Sequence, residues 1–78
     1  MYYVYVLRSL GTRRCYKGQT NNLENRLHRH FSGQSITTKS MLPLKLVFVQ
    51  VCETRGEAMK LEKFLKTGVG RAFIGEMA

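Results

Sequence analysis

Tyr16-Lys17-Gly18-Gln19-Thr20-Asn21-Asn22-Leu23-Glu24-Asn25-Arg26-Leu27-His28-Arg29-His30-Phe31 contains the change of period on which the fold turns. Its first residues complete a strand over 14–19, and Thr20-Asn21-Asn22 interrupts that strand with turn-favouring side chains. Asn21 is placed to cap a helix, with Glu24 three residues on as its capping-box partner. Leu23, Leu27 and Phe31 then recur at helical spacing as a buried stripe, and Ser32-Gly33 supplies a glycine stop. Arg26 and His30 lie one turn apart on the flank of that stripe and share a helix face.

Upstream, Tyr2-Tyr3-Val4-Tyr5-Val6-Leu7-Arg8 is aromatic and β-branched and reads as a strand, joined to the next by a short hairpin around Gly11. Downstream, residues 34–43 read as a polar loop. Residues 44–52 are the most apolar stretch and fit a central strand covered on both faces. Thr54-Arg55-Gly56-Glu57 is a second capping box and opens a helix through about Lys66, with Ala58, Leu61 and Leu65 as core stripe and Phe64 widening it. Thr67-Gly68-Val69-Gly70 breaks that helix, and residues 71–77 form a final short one. The order ββαβα(α) predicts one α/β (α+β) domain over residues 1–78, a small three-stranded antiparallel sheet flanked by helices.

A chain of 78 residues buries only about 60% of its unfolded surface, so a site is expected on an open face and not in a deep pocket. Thirteen Lys and Arg against five acidic residues give a net charge of +8, spread from Arg8 to Arg71. Such a field attracts polyanions, nucleic acid first among them; docking on a larger complex such as a ribosome is the other use of the same charge. There is no aspartate, so the clustered carboxylates of a two-metal site are excluded. Metal chemistry here rests on one carboxylate with water and substrate phosphate, which suits Mg²⁺ or Mn²⁺. Cys15 and Cys52 have neither CxxC spacing nor scaffold density, and with His28 and His30 they match no tetrahedral zinc pattern. The absence of a leader pattern or an apolar run of about 20 residues predicts a cytosolic protein with no membrane contact.

Five residues could together cut a phosphodiester: Tyr5, Tyr16, Arg26, His30 and Glu62. A phenol can pass a proton, a guanidinium can steady a phosphorane, and a carboxylate can hold Mg²⁺. Each also has a plainer use. The tyrosines suit strands, Arg26 suits a solvated helix face, and Glu62 suits an ion pair with Lys66. Gly18 beside Tyr16 is expected to let another chain approach the strand end. Glu24 and Glu57 are assigned to caps, Glu53 to a strand end and Glu76 to the chain end, which leaves Glu62 as the carboxylate for a metal. Lys17, Lys39, Lys63, Lys66 and Arg71 are expected to surround the site and touch backbone phosphates, with Thr37 and Thr38 as hydroxyl donors.

Tyr3-Val4-Tyr5 followed by Tyr16-Lys17-Gly18 resembles the paired tripeptides of the GIY-YIG endonuclease superfamily, in its compact single-domain bacterial form. Asn21-Asn22-Leu23-Glu24-Asn25-Arg26-Leu27 is similar to its arginine-bearing helix, and Glu57-Ala58-Met59-Lys60-Leu61-Glu62 to its metal-binding helix. Tyr3 stands in place of a glycine and Lys17 in place of an apolar residue. The resemblance implies a Mg²⁺-dependent endonuclease that hydrolyses DNA by in-line attack of water, with little intrinsic sequence specificity. The DNA could be branched or structured, and RNA remains a candidate. It further implies that Tyr5 and Tyr16 orient or deprotonate the water, with a neighbour needed to lower the phenol pKa. Arg26 stabilises the phosphorane, His30 assists proton transfer or binds phosphate, and Glu62 holds the ion. The rival expectations are a nucleic-acid-binding module of the same fold with weak or no turnover, and a structural partner of a repair or ribosomal assembly.

Overall fold

The computed structural model describes residues 1–76. Its elements are β1 (Tyr2–Ser9), β2 (Cys15–Thr20), α1 (Leu23–Phe31), α2 (Ile36–Lys39), β3 (Leu44–Cys52), α3 (Arg55–Leu65) and α4 (Gly68–Phe73). The three strands form one antiparallel sheet, as the strand patterns predict, and their order is β2-β1-β3. The central strand is β1 and not β3, contrary to the expectation for the longest apolar run. β1 buries Val4, Tyr5, Val6 and Leu7 consecutively, which requires cover on both faces. β3 lies on an edge, where Val49 and Val51 stay 44% and 46% exposed because neither helical layer reaches over them.

Alternation along β1 divides the core in two. Val4 and Val6 pack with Cys52, Ala58 and Leu65, supported by Leu61 and Ile74, so α3 and the end of α4 cover one face. Tyr5 and Leu7 pack with Met41 and Leu44, supported by Leu23 and Leu27, so α1 and the segment after α2 cover the other.

The cap of α1 is Asn22, one residue later than expected: its side chain accepts from the Asn25 N–H at 3.1 Å. The shift follows from Thr20, whose hydroxyl accepts from the Asn22 N–H at 3.0 Å and sets the entry of the helix. At the other end Gly33 adopts φ 80°, the Gln34 N–H reaches the Arg29 carbonyl, and the Gly33 N–H reaches that of His30. This Schellman closure ends α1 at Phe31, one residue past His30, and turns the chain into α2. The expected polar loop over 34–43 thus contains a short helix.

The sheet-facing stripe of α1 is Leu23, Arg26, Leu27 and His30, at i, i+3, i+4 and i+7. Phe31, expected in the stripe, is 43% exposed, while His30 is 1% exposed. Arg26 and His30 therefore lie on the stripe and not on its flank. The same spacing recurs on α3 as Ala58, Leu61, Glu62 and Leu65; Phe64 faces outward, 40% exposed. Thr54 caps α3 by accepting from the Glu57 N–H, whereas the Glu57 carboxylate reaches the Glu53 N–H. The predicted break at 67–70 is the first half of α4, which Thr67 caps at the Gly70 N–H. Gly70 has to be glycine, since a Cβ there would collide with the Phe64 carbonyl and the Leu65 backbone. Met77, placed in the last helix by sequence, lies outside the described residues.

Candidate active site

The site is built around a phenol laid flat on a glycine. Tyr5 pairs across the sheet with Gly18, and a Cβ on Gly18 would come within 2.6 Å of the Tyr5 hydroxyl oxygen and 2.9 Å of the Tyr16 ring. The bare backbone of Gly18 is what allows the Tyr5 ring to cross β2. The space foreseen for another chain is filled by the protein's own tyrosine. Tyr16 stands on the same face of β2, half-buried, with its ring centroid 6.2 Å from that of Tyr5. His30 closes the group from α1, 5.6 Å from the Tyr5 ring and 5.1 Å from the Tyr16 ring.

Two hydrogen bonds fix the imidazole. Nε2 lies 2.9 Å from the Tyr5 hydroxyl oxygen, and Nδ1 lies 2.7 Å from Oγ1 of Thr38. Tyr5 and Thr38 are wholly buried. Thr38, expected as a phosphate-binding donor, is instead an interior partner of His30. Its position on α2, eight residues beyond His30, gave no local signal of that contact. His30 is equally removed from phosphate, so its expected anion contact does not fit its burial.

The electrostatics follow from that burial. Desolvation, then the neighbouring Tyr16, pushes the Tyr5 pKa up to about 12, and the Arg26 guanidinium offsets this only in part. Desolvation first, then Arg26 and Arg29, pushes His30 below its usual value. Tyr5 is therefore a protonated phenol and His30 a neutral imidazole at physiological pH. The lowering that a phenol would need to act as a base is not found at Tyr5, because loss of solvent outweighs the Arg26 charge. Arg26 is half-buried beside the Tyr5 hydroxyl and makes no salt bridge among the described residues. Its charge is free for an anion.

Glu62 stands apart from this group. It occupies the sheet-facing stripe of α3, in the layer across the sheet, and its carboxylate pairs with Lys66 at 3.0 Å. The Glu62 side chain is 20% exposed and that of Lys66 55%, so the pair is open to solvent and weak. No group of three His, Cys, Asp or Glu that could hold a metal occurs among the described residues. A lone, partly exposed carboxylate fits an ion that keeps most of its water and takes further oxygens from a bound phosphate, which is the habit of Mg²⁺.

The basic residues do not form one ring. Thr37 and Lys39 lie exposed on α2, in the tyrosine layer, whereas Lys63, Lys66 and Arg71 belong to α3 and α4 in the other. Lys17 points to that second layer, where its ammonium pairs with Glu76 and its side chain is only 7% exposed. It is not the outward phosphate contact expected. Arg71 also approaches Glu76, at 3.6 Å, and remains about half exposed. Among the described residues no helix is long and apolar enough to cross a membrane.

The profile of the GIY-YIG catalytic domain matches residues 1–72. A UPF0213 protein of Bacillus licheniformis is 39% identical over 66 residues, covering 83% of this chain and 67% of that protein. One from Clostridium perfringens is 37% identical over 67 residues, covering 85% and 71%. No solved structure matches the chain.

Proposed function

The chain belongs to the GIY-YIG family, a nuclease-type family acting on nucleic acid, and from that premise we propose that it is a Mg²⁺-dependent endonuclease that hydrolyses DNA by in-line attack of water, with little sequence preference. The observation that carries the reading is the Arg26 guanidinium, which makes no salt bridge among the described residues, beside Tyr5, Tyr16 and His30 on one face of the sheet. Arg26 receives the scissile phosphate and offsets the charge that grows on it; such preorganised charge is usually the largest catalytic contribution. Tyr16, the phenol that reaches solvent, orients the attacking water and exchanges its proton. Tyr5, protonated throughout, donates a hydrogen bond and supports Tyr16 from below. Glu62 holds Mg²⁺, which supplies Lewis-acid stabilisation when bound. β2 is an edge strand that contributes Tyr16 to one layer and Cys15 to the other, so a phosphate at that edge is the position both layers can approach.

The rival reading, a binding module with no turnover, draws on the separation of Glu62 from the tyrosine cluster. Nicking of supercoiled plasmid DNA with Mg²⁺ and with EDTA separates the two. The nuclease nicks only with the metal, and Glu62→Gln lowers the rate about 10²-fold or more while still binding DNA. A parent protein that binds plasmid and never nicks it with Mg²⁺ or Mn²⁺ is the binding module. A Glu62→Gln protein that nicks at the parental rate removes Glu62 from the metal site.

A further inference from the structure

His30 could serve the nuclease site in two opposed ways, and the direction of its hydrogen bonds decides between them. A ring with a bare Nε2 could draw a proton inward from Tyr5. A ring with Nε2–H could only hold Tyr5 in place. Thr38 discriminates. Its side chain is wholly buried, and among the described residues its Oγ1 has one hydrogen-bond partner, Nδ1 of His30 at 2.7 Å. If Nδ1 carried the proton, Thr38 would accept it, and its own hydroxyl proton would face the protein interior with no acceptor. Buried donors are rarely left so. If Thr38 donates to a bare Nδ1, every proton is placed. A neutral imidazole has one N–H, so Nε2 then carries it and donates to the Tyr5 oxygen at 2.9 Å. The groups facing His30 agree with a neutral ring: Tyr5 from β1, Tyr16 from β2, Arg26 and Arg29 from α1 and Thr38 from α2, with no carboxylate among them.

We propose that Thr38 is a positioning residue that fixes His30 as the Nε2–H tautomer, so that hydrogen bonds run outward from Thr38 through His30 to Tyr5, beside Tyr16, and His30 takes up no proton during cleavage. With Nε2 donating to its oxygen, Tyr5 turns its own O–H away from His30 and toward Tyr16, the half-buried end of the series. A proton released at the site then leaves through Tyr16 to solvent. The consequence for cleavage rests on the nuclease reading; the tautomer does not.

The test is long-range ¹⁵N–¹H correlation of the histidine rings in the whole protein near pH 7.5, with the protein folded and free of DNA. The expected spectrum of His30 shows a protonated Nε2 and a bare Nδ1. Thr38→Ser keeps this pattern and near-parental nicking. Thr38→Val loses the single-tautomer pattern, and nicking falls about tenfold or more, the scale seen when an orienting partner of a functional histidine is removed. A His30 with Nδ1–H in the parent overturns the proposal without any variant, as does a Thr38→Val spectrum indistinguishable from the parent's. Nδ1–H in a protein that nicks DNA overturns the tautomer alone. Nε2–H in a protein that never nicks supports the tautomer and overturns only the nuclease reading.

Discussion

α1 and α3 lay stripes of the same spacing on opposite faces of one three-stranded sheet, and what the two stripes bury differs. α3 contributes Ala58, Leu61 and Leu65 to an apolar cluster with Val4 and Val6. Across the sheet the position equivalent to Leu65 is His30, which is 1% exposed and hydrogen-bonded on both ring nitrogens. A domain this small has little burial to spare, and a polar series at its centre is worth less to folding than packed aliphatic groups of the same volume. Both faces bury core residues, and the second also keeps a stack of polar side chains in register beside the Arg26 guanidinium, which makes no salt bridge among the described residues. Glu62 is the exception on the apolar side, a carboxylate on the stripe at the position corresponding to Leu27 on α1, while Leu61 corresponds to Arg26.

The sharpest way to break the contrast is a cavity on the apolar face. Leu65 is wholly buried, so Leu65→Ala is expected to cost about 2–5 kcal/mol in urea unfolding, a large share of what a domain of this size has. Nicking per folded molecule, measured well below the unfolding midpoint, should stay near the parental value. A Leu65→Ala protein that keeps full stability, or one that folds but does not cut, would show that the two faces are not divided as described.

A smaller effect sharpens the comparison through pH. Tyr5 has its pKa raised from 10.0 to about 12, so the folded state binds its proton more tightly. That stability is complete below pH 10 and is lost as pH climbs toward 12, by at most about 2–3 kcal/mol. His30 has its pKa lowered, so the unfolded state takes up the proton first. Its contribution is complete above about pH 6.5 and is lost as pH falls below that value. Urea midpoints should therefore decline on both sides of a plateau. The alkaline decline should be shallower in Tyr5→Phe and the acid one shallower in His30→Gln. Curves for these variants that parallel the parent's would mean the two groups are not buried as described.

Local signals carried the elements and four of the five clustered side chains. The strand pattern around Tyr5 and Tyr16, and the helix spacing of Arg26 and His30, are properties of short stretches of chain. What escaped the sequence depends on which elements meet. The run in β3 is more apolar than β1, yet strand order is set by crossings and not by composition, so the central place fell to β1. Thr38 looked like a surface hydroxyl because its neighbours Thr37 and Lys39 are exposed; only the closure at Gly33 brings it under His30. Lys17 read as outward because nothing near it in sequence is acidic, while its partner Glu76 arrives from the far end of the chain. The rise of the Tyr5 pKa has no local sequence signal, because it comes from the ring being buried against Gly18 beneath α1. The start of α1 slipped by one residue because Asn21 and Asn22 are equally good caps until Thr20 chooses between them.

Arg26→Ala offers the most direct measurement of the claim that the polar face carries the chemistry. Arg26 is half-buried and makes no salt bridge among the described residues, so its removal should leave the urea midpoint close to the parent's. The account predicts that nicking of supercoiled plasmid in Mg²⁺ falls by about 10²–10³-fold in that folded protein, the scale of losing one preorganised group at the developing charge. Nicking at the parental rate by folded Arg26→Ala would contradict it.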